Sequence, residues 1–266
     1  MIQLSESEFA QFQRFIFDVA GISLSHAKKQ LVCGRLGRRL QHHRLNSYTE
    51  YFGLLQSGRM PAEVQMAVDL LTTNETHLFR EPRHFDLLRS LAMRRRGSGK
   101  PFRVWSAACS SGEEPYSIAM VLDDCLPDGG WEVLGSDISV RMLERARAGH
   151  YPMERARNVP VGYLRRYCLR GIAGQAGTLL VGRNMRQKVS FRQINLNQPL
   201  PRIGPFDVIF LRNVMIYFNN ETKTQILARI AEQLRAGGYL LTGHSESLNG
   251  CGDGWLVEAP AVYRRV

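Results

Sequence analysis

Cysteine pairs are missing from this chain: Cys33, Cys109, Cys125, Cys168 and Cys251 are odd in number, widely spaced and never arranged as CxxC. That pattern excludes a disulfide framework and a zinc site of the paired-cysteine kind, leaving buried reduced thiols. Long apolar runs are also missing, and none approaches the roughly 20 residues of a membrane helix. The opening MIQLSESEFA lacks the charged, apolar and small-residue regions of a signal peptide. A cytoplasmic protein with no direct membrane insertion is therefore expected. Acids are scarce beside bases, 24 against 35, for a formal net charge of +11. Such an excess asks for an acidic partner without saying whether it is nucleic acid, membrane or protein.

The 266 residues, 44% of them hydrophobic, suffice for one large α/β domain and a smaller one. From Ser5 to Ala20, Phe9, Phe12, Phe15, Ile16 and Val19 recur at helical spacing, with Ser5 or Ser7 as N-cap and Gly21 as stop. A second helix is expected from Ala27 to Arg44. The stretch from His26 to Asn46 holds six Lys or Arg and no acid. Turning about 100° per residue places Lys28, Arg35, Arg38, Arg39 and His42 on one broad stripe, with Leu36 and Leu40 on another. Such a run is either a contact surface or simply a solvated face. Gly34 and Gly37 each cost an isolated helix about 1 kcal/mol relative to Ala, so this element needs tertiary packing or a close partner.

Helices near Ser47–Leu55 and Ala62–Leu71 complete an all-helical N-terminal domain over 1–75. The connector TTNETHLFREP follows, with Pro82 in the first turn of another helix carrying Phe85, Leu88 and Ala92. From Phe102 apolar strand-length runs (FRVWSA, WEVLGS, KVSFRQI, FDVIFL, GYLLTG) alternate with helical segments, the mark of a doubly wound parallel sheet over 76–266. The rhythm fails across 158–187, where a glycine-rich basic stretch reads as a small inserted subdomain.

In such a sheet the ligand lies beyond the carboxyl ends of the strands, near Ala107, Asp137 and Asn213. The turn ACSSGEE holds one glycine rather than G-x-G-x-x-G, and its Glu113 and Glu114 would repel phosphate at a helix N-terminus. Acids there suit ribose hydroxyls or a cationic amine, unless they merely complement the helix dipole. Asp137 stands where an acid accepts hydrogen bonds from a ribose. An adenosyl ligand with a positive tail, S-adenosylmethionine, fits these groups.

TTNETHLFREP, RVWSAACSSGEEPYSIAM, GSDIS, INLNQPLP, FDVIFLRNVMIYF and GHSESL occur in the order and spacing of the chemoreceptor glutamate methyltransferases, and over nearly its whole length the chain resembles that CheR family. The resemblance implies a Rossmann-like methyltransferase sheet with an inserted β-subdomain behind an all-helical N-terminal domain, and transfer of the S-adenosylmethionine methyl group to receptor glutamates. S-adenosylhomocysteine would be the product and no metal would be required. By motif, Asn74, Thr76 and Arg80 would reach the cofactor from the connector. Glu114 and Asp137 would hold its amine or ribose end, Asn195 and Leu196 would flank the adenine, and Arg212 and Asn213 would lie at the fourth strand end. Duller readings are Thr76 as a helix cap, Asn74 as a turn former, Arg212 as a surface ion-pair partner and Leu196 as core.

A glutamate, with a reference pKa of about 4.3, is already ionised at neutral pH and attacks without a general base. His77, His84 and His244 are therefore not needed as bases. Arg80 and Tyr217 are the candidates for orienting the carboxylate, with core packing the alternative for Tyr217. The resemblance gives Lys28, Arg35, Arg38 and Arg39 an acidic partner in the cytoplasmic helical region of receptors. It also raises binding of the receptor C-terminal tail at the β-subdomain. Two rivals remain: a non-catalytic adaptor that binds adenosyl ligands, and a nucleic-acid methyltransferase. Against the latter, RNVMIYF lacks the Asn/Asp-Pro-Pro-aromatic motif, and no platform of aromatics for stacking bases is evident, so no nucleic-acid partner is expected.

Overall fold

Ser5 caps the first helix, α1 (Glu6–Ala20), in the computed structural model, which describes residues 2–248, 250 and 254–266; Cys251 lies outside them. The Ser5 hydroxyl accepts from the Glu8 N–H while the Glu8 carboxylate accepts from the Ser5 N–H, a reciprocal capping box. α2 (Lys29–His43), α3 (Tyr48–Gln56) and α4 (Pro61–Leu71) follow. Phe9, Phe12 and Ile16 of α1 pack on Leu36 and Leu40 of α2, Tyr48 and Tyr51 of α3, and Val68 and Leu71 of α4 in one apolar core. Gly37 lets the Tyr48 hydroxyl close on α2, since a Cβ there would stand 3.2 Å from it.

α1 ends at Gly21 with φ 71°, and a Cβ at this position would meet Thr222 at 2.8 Å and Asn197 at 2.9 Å. The left-handed turn thus also permits close approach of the helical domain to the rest of the chain. Next come α5 (Arg83–Arg95), β1 (Phe102–Ser106), α6 (Glu113–Cys125), β2 (Trp131–Asp137) and α7 (Val140–Ala148). The inserted region holds β3 (His150–Pro152), α8 (Val161–Tyr167), β4 (Cys168–Arg170), β5 (Thr178–Val181) and α9 (Arg183–Lys188). Its sheet runs β3-β5-β4, antiparallel throughout, so it begins upstream of the 158–187 stretch singled out by composition.

The main sheet is completed by β6 (Val189–Gln193), β7 (Phe206–Leu211), α10 (Asn220–Gln233), β8 (Leu234–Thr242), β9 (Trp255–Ala259) and β10 (Val262–Arg265). Its order is β6-β2-β1-β7-β8-β10-β9, the first five strands parallel and the last two an antiparallel hairpin. All six residues of β7 are buried, as expected of a parallel strand covered on both faces. The chain leaves β1 for β2 on one side and later places β7 on the other. This switch point opens a crevice beyond Ser106, Asp137 and Leu211.

Candidate cofactor and substrate site

A cavity of about 320 Å³ fills that crevice, within the size range of small-molecule sites. The connector supplies Asn74, Thr76 and Arg80 to its wall, α6 gives Glu114, β2 gives Asp137, and the segment after β6 gives Asn195 and Leu196. Arg212, Asn213 and Tyr217 line it beyond β7. These separated segments therefore meet at one hollow.

The lone glycine of the first turn serves packing. Gly112 has φ 93°, and a Cβ there would stand 2.6 Å from the Ala146 Cβ, so α6 can lie against α7 only with glycine at its start. Glu113, fully buried, accepts from Arg155 Nη1 at 2.8 Å and from the Ser111 hydroxyl at 2.7 Å. Burial pushes its carboxyl up despite these donors. It anchors the loop after β3 rather than facing the cavity.

Glu114 is held from two sides: Oε1 accepts from the Ser106 hydroxyl and Oε2 from Arg212 Nη1, both at 2.7 Å. Arg212 also sits 2.9 Å from Glu81 and donates to the Arg80 carbonyl at 2.6 Å. Its side chain is only 2% exposed, which replaces the surface ion-pair reading with a buried, doubly paired cation. Burial alone would raise the Glu81 carboxyl, but the Arg212 charge and hydrogen bond win and lower it. Asp137 accepts from the backbone N–H of Ser110 at 2.8 Å and of Ser139 at 2.9 Å, tying the first turn to the end of β2. Burial still raises its carboxyl above the ordinary value.

The connector is pinned by its carbonyls. Ser110 donates to Asn74 O at 3.3 Å, Arg155 to Thr76 O at 2.7 Å and Arg212 to Arg80 O. Thr76 lies outside any helix and Pro82 precedes α5, so Thr76 is not a helix cap. The half-buried Arg80 donates to Glu75 O at 3.0 Å. Tyr217 sits half-buried in a 3₁₀ turn, Met215–Tyr217, whose carbonyl at Tyr217 accepts from Ser23 N–H at 2.7 Å. The helical domain thereby sets the position of this wall. The Asn195 side chain is committed elsewhere, donating to Val19 O at 2.6 Å and accepting from Asn197 N–H at 2.9 Å.

Two of the four α2-stripe cations are not free for a partner. Arg39 grips the buried Glu63 bidentately, at 2.8 and 2.6 Å, because the helix turns it towards α4 rather than solvent. Arg35 donates to the Leu70 and Thr72 carbonyls at 2.9 and 2.8 Å and so ends α4. Lys28 and Arg38 remain exposed, with Lys28 at the cavity.

Glu246 escaped assignment although its motif, GHSESL, was noted. Its carboxylate accepts from the backbone N–H of Asn213, Met215 and Gly243, each at 2.7 Å, and from Ile216 at 3.3 Å. It thereby shapes the turn that holds Asn213 at φ 56°. Glu81, Glu63 and Arg155 were likewise missed; each is recognisable only through a partner distant in sequence. His77 is kept below its ordinary pKa by burial and by Arg80, Arg212 and Arg155. Glu81, His84 and His244 bring potential metal-ligand atoms within 4.8 Å of one another. The Arg212 cation already paired with that carboxylate opposes a metal ion there.

Residues 7–72 match the family model of the CheR methyltransferase all-alpha domain, and residues 74–258 that of the CheR methyltransferase SAM binding domain. The chain is 45% identical over 246 residues to chemotaxis protein methyltransferase 2 of Pseudomonas aeruginosa, covering 91% of this chain and 87% of that one. It is 41% identical over 265 residues to the chemotaxis protein methyltransferase of Escherichia coli, covering 98% and 92%. The Salmonella typhimurium chemotaxis protein methyltransferase is 39% identical over 265 residues, covering 98% and 91%.

Proposed function

Because the chain belongs to the CheR methyltransferase family, we propose that its crevice is where a chemoreceptor glutamate carboxylate takes the methyl group of S-adenosylmethionine, yielding a methyl ester and S-adenosylhomocysteine. The observation that carries this assignment is the acidic rim. Glu114 and Asp137 face the cavity in place of a glycine-rich phosphate cradle, and both carboxylates are fixed before any ligand arrives. Such a rim favours a cationic amine and ribose hydroxyls and disfavours a nucleotide's phosphates. The carboxylate oxygens of Asp137 retain accepting capacity beyond the two N–H groups they already hold. Leu196 supplies an apolar wall for the adenine.

S-adenosylmethionine supplies an electrophilic methyl group, and the protein supplies position. Arg80 and Tyr217 come to the cavity wall from two separate segments and orient the incoming carboxylate, leaving a lone pair free to attack. Alignment of this kind contributes up to about 7–11 kcal/mol of barrier lowering. No general base is required, because the attacking carboxylate is already ionised at neutral pH.

Lys28 and Arg38 offer exposed charge to an acidic receptor helix. Arg35 and Arg39 support the surface from beneath. β4 lies at an edge of the small sheet, with its own exposed Leu169 and the exposed Ile172 just beyond it, and suits addition of the receptor's C-terminal tail as a strand. No helix among the described residues is long and apolar enough to cross a membrane. The proposed substrate, the cytoplasmic part of a receptor, is one that an enzyme meets in the cytoplasm.

Incubation with methyl-labelled S-adenosylmethionine and receptor membranes should leave alkali-labile label on receptor glutamates. Label in nucleic acid instead, or binding without transfer, would overturn the reading. Arg80→Ala should abolish transfer with an unchanged melting temperature; near-normal turnover would remove Arg80 from the site's chemistry.

A further inference from the structure

Glu246 is a buried acid, 6% exposed, that stands behind the cavity wall rather than in it. Methyl transfer needs no acid there, yet every accepting site of its carboxylate is filled. Oε1 accepts from the N–H groups of Met215 and Ile216, and Oε2 from those of Asn213 and Gly243. An ionised carboxylate offers about four lone-pair sites, so this set is complete. An amide of the same shape offers one oxygen only, and its NH2 end would face two N–H donors with nothing to accept them.

The partners divide between two strand ends. Gly243 directly follows β8, whereas Asn213, Met215 and Ile216 belong to the turn that follows β7. Glycine at 243 lets the two ends close, since a Cβ there would stand 2.5 Å from Asn213 Nδ2 and 2.8 Å from Glu246 Oε2. The turn so held has a non-glycine residue, Asn213, in the left-handed region and runs straight into the 3₁₀ turn Met215–Tyr217. Such a backbone keeps its shape only where its surroundings fix it. From the other side the Tyr217 carbonyl accepts from Ser23 N–H, and Ile22 bridges Phe218. Those contacts hold the far end of the turn, and Glu246 holds the near end.

We propose that Glu246 is a positioning residue for methyl transfer, its carboxylate setting where the Tyr217 hydroxyl meets the substrate carboxylate. This rests on the reading above, in which Tyr217 orients that group. Glu246 acts through Tyr217 and not on the reacting atoms. A hydroxyl displaced by about 1 Å still permits binding but misdirects the attacking oxygen, so the loss falls on kcat.

The test uses the full-length protein, methyl-labelled S-adenosylmethionine and receptor membranes, below the melting temperature of every variant. Tyr217→Phe should lower kcat about 30-fold and Glu246→Gln about tenfold, with receptor KM and S-adenosylhomocysteine affinity changed less than about threefold. In a Tyr217→Phe background, Glu246→Gln should cost less than about twofold more, because the hydroxyl it positions is already gone. A merely structural role gives the opposite result: a fold loosened by Glu246→Gln loses active protein equally in both backgrounds. Gly243→Ala displaces the same carboxylate without removing its charge, and repeats the cycle if Glu246→Gln does not fold. Losses that multiply, or a kcat unchanged by Glu246→Gln, would overturn the role of Glu246 and leave the methyltransferase reading intact. Failure of the unaltered protein to methylate receptors would overturn that reading, and this role with it.

Discussion

Arg212 beyond β7 and Arg38 on α2 carry the same charge in opposite settings. Arg212 is enclosed at 2% exposure between Glu81, Glu114 and the Arg80 carbonyl, whereas Arg38 stands in solvent at the rim of a groove. The enclosed cation cannot move to meet a ligand; it fixes the Glu114 carboxylate at the cavity wall, and its rigidity is its contribution. The exposed one is screened by salt and, in the docking proposed above, acts on encounter and register. Arg39 and Arg35 lie between these extremes, on α2 yet consumed by internal partners. Neighbouring positions on one helix thus divide into internal support and free charge according to what the fold places opposite them.

Removing Arg212 is the strongest challenge to that division. Arg212→Ala strands two largely buried carboxylates, and loss of one partner of such a pair costs about 3–5 kcal/mol. Denaturant unfolding should show this loss, and calorimetry should find S-adenosylhomocysteine affinity reduced about 100-fold as Glu114 loses its support. Retained affinity in a destabilised protein would mean that Arg212 holds the fold but not the ligand site.

The next effect lies on α2. Arg39→Ala should cost about 2 kcal/mol, less than Arg212→Ala because Tyr51 and His43 still contact Glu63. Burial raises the Glu63 carboxyl, but hydrogen bonds from Arg39, Tyr51 and His43 more than compensate and lower it from 4.5 to about 2. A depressed carboxylate contributes stability that is complete above about pH 4.5 and is lost as pH falls towards about 2, since the unfolded chain then binds the extra proton. Stability measured across that window should fall less steeply in Arg39→Ala than in the unaltered protein. Equal slopes would show that Tyr51 and His43 alone set the Glu63 pKa.

These wall residues were legible because each is tied to an apolar run: Glu114 in the helix start that follows FRVWSA, Asp137 closing WEVLGSD, and Arg212 directly after FDVIFL. Local pattern and the crevice rule were enough to bring them together. The basic stripe was legible only as an angle. Projection at 100° per residue says which side chains share a face, but Glu63 opposite Arg39 comes from another helix and leaves no local signal. β3 was hidden by its brevity and its proline, three residues in all, and the β9–β10 hairpin carries no alternation strong enough to have been read. Glu246 was hidden for a different reason: its partners are backbone N–H groups, which no residue type advertises.

The smallest expected effect sharpens the comparison from the other side. Arg38→Ala removes an exposed side chain with no ion pair among the described residues, and a surface change of this kind shifts stability by no more than about 0.5 kcal/mol. Thermal melts should therefore barely distinguish it from the unaltered protein, while the salt dependence of receptor methylation should weaken because one screened attraction is gone. A stability loss matching that of Arg39→Ala would place Arg38 among the supporting cations. α2 would then be architectural along its whole basic face, and of the four cations assigned to the receptor only Lys28 would be left to meet its charge.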